Sequence, residues 1–147
     1  GLAAAMIKLQ GQMTSGNCTF NQFAIEAAIH HCQSSVADMR ASFARRADLI
    51  CRLVDDWPDV RYPRPHGAFY LFPDVSAHFG RTSPGGRPVD DAVTFASALL
   101  EETHTAVVPG DDFGEVARGS IRLSFATDEA TITVGCERIG AWLRSLS

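Results

Sequence analysis

Val108-Pro109-Gly110-Asp111-Asp112-Phe113-Gly114, followed after six residues by Ile121-Arg122-Leu123-Ser124-Phe125-Ala126, is the stretch that decides the fold. In its second half Ile121, Leu123 and Phe125 alternate with Arg122, Ser124 and Ala126, the period-two pattern of a strand with one apolar face. Glycines at both ends of the first half permit positive φ or close backbone approach. Arg122 therefore points away from the apolar face, toward solvent or a cleft. A guanidinium mounted on a strand presents a planar fork that holds a carboxylate through two hydrogen bonds. The same pattern also describes an exposed arginine on a half-buried sheet, and the loop also describes a plain turn. Asp111 and Asp112 are adjacent and are not spaced to share a metal or to act as an acid/base pair.

Outward from this core the pattern predicts more helix than strand. Toward the C-terminus Asp128 is an N-cap, followed by Ile132, Cys136, Ile139, Leu143 and Leu146 at steps of three and four. Toward the N-terminus, Thr105 to Val108 reads as a short strand. Val89 to Glu102 reads as a helix with Val93, Ala96, Leu99 and Leu100 inward. The Pro/Gly/Ser-rich stretch 73–88 reads as a loop, mobile around Ser83 to Gly86. Gly67-Ala68-Phe69-Tyr70-Leu71-Phe72 reads as a buried strand, approached through Pro63 and Pro65. Before it, Val36, Met39, Phe43, Ile50 and Val54 define an amphipathic helix of about five turns. Ser34 and Ser35 are its N-cap candidates, and Trp57-Pro58 ends it. Phe20 to His31 predicts another helix, Gln10 to Asn17 a polar loop, and Ala3 to Leu9 a short helix. The expectation is an α/β (α+β) packing: a small sheet of about three to four strands flanked by helices.

Composition narrows the function. With 13 basic and 17 acidic residues in 147, a net charge of −4 and no basic stripe, nucleic acid is not an expected partner. No apolar run approaches a membrane span, and the first seven residues lack the features of a secretory signal. Cys18, Cys32, Cys51 and Cys136 form no C-x-x-C pair; they are read as reduced thiols, three of them on helices, in a cytoplasmic protein. No metal site is expected: His30 and His31 diverge on their helix, and His66, His78 and His104 are isolated, solvated or core residues. The thirteen basic residues include twelve arginines and a single lysine, Lys8. A Schiff base would have to use Lys8, whose place on an early helix suits a surface residue, or a residue of another chain.

Six ordered motifs carry a family resemblance. They are Leu9-Gln10-Gly11-Gln12-Met13-Thr14-Ser15-Gly16-Asn17 with Gln22-Phe23-Ala24; Arg45-Arg46-x-Asp48; Pro65-x-Gly67-Ala68-Phe69-Tyr70; the loop 108–114; and the segment 121–126. Together they resemble the C-terminal part of class I, fold-type I pyridoxal-phosphate aminotransferases of the bacterial aspartate aminotransferase-like branch. The resemblance implies that residues 1–34 are the end of a large cofactor-binding domain. Residues 35–147 would be the small domain, with the long helix between domains. It implies that Arg122 binds the substrate's α-carboxylate and that 12–17 lie near a dimer interface. The family's Schiff-base lysine, the aspartate on the pyridine nitrogen and the ring-stacking aromatic belong upstream of this segment, and Lys8 does not match the lysine. The expectation is a fragment of an enzyme that moves an amino group between an amino acid, aspartate or aromatic, and a 2-oxo acid. Alone it would have no catalytic residue and no bound pyridoxal phosphate; it would pair as a homodimer or with the missing large domain. Fragments of ACC synthase-like or C-S lyase-like enzymes, aminotransferase-like regulators and a non-enzymatic assembly module share these features.

Overall fold

A computed structural model describes all 147 residues. Five helices and five short strands form in the order α1 (Leu2–Thr14), α2 (Thr19–His31), α3 (Gln33–Asp55), β1 (Tyr70–Leu71), β2 (Arg81–Thr82), β3 (Pro88–Val89), α4 (Ala92–Thr103), β4 (Val108–Pro109), β5 (Ile121–Ser124) and α5 (Glu129–Ser145). Short 3₁₀ turns occupy Ser76–His78, Gly110–Phe113 and Glu115–Ala117. The chain divides into two compact units, Gly1–Ala41 and Ser42–Ser147, with the boundary inside α3.

The first unit contains α1, α2 and the start of α3. None of its residues is buried, and Leu2, Met6, Ile7, Phe20, Phe23 and Ile29 are among its exposed apolar side chains. Helix α1 runs through the expected loop as far as Thr14. Gln10, Gln12 and Met13 are good helix formers that offset the roughly 1 kcal/mol disfavour of Gly11. The helix stops at Ser15, whose φ of 58° breaks the repeat while its N–H still bonds Gly11 O. Ser34 and Ser35 lie inside α3 and do not cap it. Cys18 and Cys32 flank α2, so two cysteines, Cys51 and Cys136, stand within helices rather than the expected three.

The second unit holds the core. Its main sheet is antiparallel in the order β1-β5-β4, with Leu71 opposite Leu123, Tyr70 opposite Ser124, Val108 opposite Arg122 and Pro109 opposite Ile121. Ile121, Leu123 and Phe125 are buried as the alternation predicts, against Leu71, Phe95, Leu99, Ile132, Ile139 and Leu143 from the surrounding elements. Asp128 does cap α5, accepting from the Thr131 N–H, and the expected stripe Ile132, Cys136, Ile139, Leu143 and Leu146 is buried. Only the C-terminal part of the predicted α3 stripe is buried, at Ile50 and Val54; Val36 and Met39 are exposed. The indole of Trp57 closes this end by donating to Cys136 O.

Several elements differ from the sequence expectation. Regular strand within 67–72 is confined to Tyr70–Leu71, because Ala68 has a φ of 56° that a strand does not accommodate. Helix α4 starts at Ala92 rather than Val89, where Asp91 and Thr94 form a reciprocal capping box. It buries Ala92, Phe95, Ala96, Ala98 and Leu99, leaving the expected inward residues Val93 and Leu100 exposed. The predicted 105–108 strand pairs only at Val108–Pro109. Stretch 73–88 is not a plain loop: β2 and β3 make a hairpin, and Ser83, expected to be mobile, is buried.

That hairpin is anchored by one carboxylate. Glu102 accepts from Ser83 Oγ at 2.6 Å and from Trp142 Nε1 at 2.9 Å, while Ser83 N bonds Arg87 O. Burial alone would push the Glu102 carboxyl up. The hydrogen bonds from Ser83, Trp142 and the Gly85 N–H, with the nearby Arg87 charge, outweigh it and hold the group below the ordinary glutamate range. Reciprocal bonds between Thr82 and Ser147 tie the C-terminus to the same hairpin.

Candidate functional site: an arginine held by two aromatic rings

Core burial of Ile121, Leu123 and Phe125 turns Arg122 to the opposite face of β5, where it is half-buried. The bonds from Phe125 N to Phe69 O and from Ile121 N to Pro73 O continue the β1–β5 register past its two formal pairs. That register sets Phe72 across from Arg122 on one side, as Val108 is on the other. Tyr70, opposite Ser124, stands on the same face.

The Gly110–Gly114 turn completes the site. A Cβ on Gly110 would lie 1.7 Å from Ala117 O and 2.6 Å from Ser120 O, and the Gly110 N–H bonds Ser120 O at 2.8 Å. Glycine is thus required for the turn to press against the 117–120 backbone. Gly114, with φ of 101°, reverses the chain after Phe113. This tight turn brings Phe113 back over β5. The Arg122 Cζ lies 4.6 Å from the Phe113 ring centroid and 4.4 Å from that of Tyr70. Phe72 braces Phe113 edge-on at 5.3 Å. Cation–π attraction and ring packing hold the guanidinium here.

No protein carboxylate neutralises it. The chain's four ion pairs are Arg45–Glu129, Arg64–Asp48, Arg87–Glu101 and Arg118–Glu115, and the Arg122 side chain takes part in none of the hydrogen bonds. Asp111 and Asp112 share the turn with Phe113 but form no ion pair with Arg122 and lie exposed. The site is a fixed cation with its in-plane donors free, suited to an external planar anion. Arg122 was legible as a candidate from alternation alone. Tyr70 and Phe113 carry no functional signal of their own in the sequence; strand parity, which puts Tyr70 on the Arg122 face, is the available signal for the first. Nothing in the sequence places Phe113, because its position depends on Gly110 packing against a turn seven residues away.

The other groups offer no competing chemistry. A concavity of about 490 Å³ lies between α5 and residues 104–106, bordered by Leu123 and Ser124, where the 105–107 segment parts from β5. Arg122 does not line it. Its only guanidinium, Arg138, is directed to Thr103 O at 3.4 Å, and burial pushes the Cys136 thiol up to about 12, leaving it protonated and unreactive. His78 is a core histidine, fully buried, with Nε2 at 2.8 Å from Pro58 O. No group of three or more metal-ligating side chains converges anywhere in the chain. No helix is long and apolar enough to cross a membrane.

The fold is an α/β domain that presents an arginine, held by two rings and without an ion-pair partner, on the face of its sheet. Residues 2–139 match the aminotransferase class I and II family, and the chain belongs to that family. It is 41% identical to the aspartate/prephenate aminotransferase of Cereibacter sphaeroides over 99% of this chain and 36% of that protein. It is 39% identical to an aspartate aminotransferase of Streptomyces avermitilis over 92% of this chain and 32% of that protein. The crystal structure of the aspartate aminotransferase from Rhizobium meliloti superposes with a TM-score of 0.89 at 34% identity, covering 98% of this chain and 36% of that one. The chain therefore spans about a third of the length of these relatives.

The family uses pyridoxal phosphate, and the residues present do not form a site for it. The cofactor's aldehyde requires a lysine amine. The single lysine, Lys8, is exposed on α1, in a unit with no buried residue.

Proposed function

We propose that this chain supplies the substrate-carboxylate half of a pyridoxal-phosphate-dependent aminotransferase that moves an amino group between an amino acid and a 2-oxo acid. The observation that carries the reading is the Arg122 guanidinium, held by Tyr70 and Phe113 with no internal carboxylate partner. Both substrate classes share one invariant handle, the carboxylate next to the reacting carbon. A fixed guanidinium that grips this handle orients the reacting carbon and tolerates any side chain beyond it. Aspartate is the proposed amino donor, supported by the names of the Streptomyces avermitilis and Rhizobium meliloti relatives.

Lysine-dependent chemistry is assigned to residues outside these 147, and residues 1–34 to the end of the cofactor-binding domain. The exposed apolar side chains of α1 and α2 support a covering surface, from that domain or a second subunit, in the working enzyme. Four unpaired cysteines support a reducing, cytoplasmic setting.

The test is a chimera in which these 147 residues replace the matching third of the Rhizobium meliloti enzyme. Transamination of aspartate is expected to survive, and Arg122→Ala in the chimera is expected to lower kcat/KM by at least about 100-fold, the scale of losing a charge-assisted two-point contact. An active chimera indifferent to Arg122→Ala would refute the assignment. In parallel, the 147-residue chain after incubation with pyridoxal phosphate and gel filtration is expected to retain no cofactor absorbance.

A further inference from the structure

A guanidinium donates hydrogen bonds only in its own plane, and its two faces donate none. At Arg122 the rings of Tyr70 and Phe113 lie 4.4 and 4.6 Å from Cζ, approaching from β1 and from the turn after β4. The two rings make no contact with one another; Tyr70 packs on Phe69 at 4.5 Å and Phe113 on Phe72. Two rings from separate elements thus contact one guanidinium. A free arginine must give up much of its side-chain freedom to bind a ligand in one geometry. Here two ring contacts already restrict the side chain, so less freedom is lost on binding.

The geometry has a second consequence. A carboxylate is flat and can lie in the guanidinium plane with both oxygens on the fork. A tetrahedral oxyanion projects oxygens out of that plane, where a ring face repels them through its negative quadrupole. We propose that Tyr70 and Phe113 are positioning residues that hold the Arg122 guanidinium so that its in-plane fork takes a planar carboxylate in preference to a tetrahedral oxyanion. This rests on Arg122 being the carboxylate site, and adds to it the two residues that set its geometry and selectivity.

The experiment is an NMR titration of the ¹⁵N-labelled 147-residue chain, following the Arg122 Nε–Hε signal, assigned by its disappearance in Arg122→Gln. The two rings should displace this signal from those of the other eleven arginines. Propionate should shift it with an affinity several-fold higher than methylphosphonate at matched ionic strength. Phe113→Leu, at a position that is 40% exposed and so tolerant of change, should return the signal toward the others and weaken propionate binding about three- to tenfold. Phe113→Tyr and Tyr70→Phe, which keep the rings, should retain both properties of the parent chain.

A Phe113→Leu chain that binds propionate as the parent does would overturn the positioning role while leaving Arg122 as the carboxylate site. Equal affinity for methylphosphonate would overturn the selectivity. A parent chain whose Arg122 signal no carboxylate moves would remove the carboxylate reading and the inference together. Circular dichroism of each variant separates these results from unfolding.

Discussion

Gly110 shows how much of the site depends on a single missing atom group. Adding a methyl there would set Cβ 1.7 Å from Ala117 O, and the obstacle is backbone, which cannot rotate away. We expect Gly110→Ala to destabilise the chain by about 3 kcal/mol, at the upper end of overpacking, measured by urea unfolding. The turn must shift to admit it, so Phe113 should leave Arg122, and the ring-displaced arginine signal should collapse even in molecules that stay folded. Gly85 is a useful contrast. Its added Cβ would meet Glu102 Oε1 at 2.5 Å, the end of a side chain that can move, so the cost falls on hydrogen bonds rather than on the backbone.

Glu102 is where elements are joined, since its carboxylate holds the β2–β3 hairpin, α4 and α5 through Ser83 and Trp142. Both donors belong to buried residues, at 4% and 5% exposure. Glu102→Ala leaves them without partners and is expected to cost about 3 kcal/mol, whereas Glu102→Gln, which keeps an acceptor, should cost about 1 kcal/mol. Hydrogen exchange at Ser83 and Arg87 should rise in the first variant and not in the second. This joint also shows why the hairpin was illegible in the sequence. The Pro/Gly/Ser composition of 73–88 signals a turn correctly, but order there comes from a carboxylate nineteen residues downstream of Ser83. The elements read well were those whose signal is local: the alternation at 121–125, the Asp128 cap and the α5 stripe. The face of the strand on which Arg122 stands was legible for the same reason. The α3 stripe misled because amphipathic spacing identifies a face without saying what covers it, so Val36 and Met39 lie exposed where Ile50 and Val54 are buried. Inward assignments at Val93 and Leu100 failed by a small rotation of α4 that favours Phe95 and Ala98.

Over the whole molecule, pH should reveal both edges of a stability plateau. Glu102, Asp91 and Asp128 are held below their ordinary values of 4.5, 3.8 and 3.8 by hydrogen bonds made in the folded state. Their contribution is complete above those values and is lost as pH falls through the depressed folded ones, so melting temperature should drop below about pH 4.5. Cys136 and Tyr62 are shifted upward chiefly by burial, the tyrosine helped by its hydrogen bond to the Asp55 carboxylate. Folding favours their neutral forms, and that contribution is lost as pH rises past their ordinary values of 9.0 and 10.0. A melting profile flat from pH 5 to 9 is expected, by scanning fluorimetry. The two units should also differ in stability. Helices α1 and α2 have 13 residues each and no buried residue, while isolated helices of about 12–15 residues are marginal in water. By contrast α4, α5 and β5 carry the core. In dilute solution, amides of α1 and α2 are expected to exchange within minutes while those of α5 persist near the limit set by global unfolding. Protection of α1 equal to that of α5 would mean that its apolar side chains are covered by self-association. In that case protection should fall on dilution, whereas protection independent of concentration would contradict the expected inequality outright.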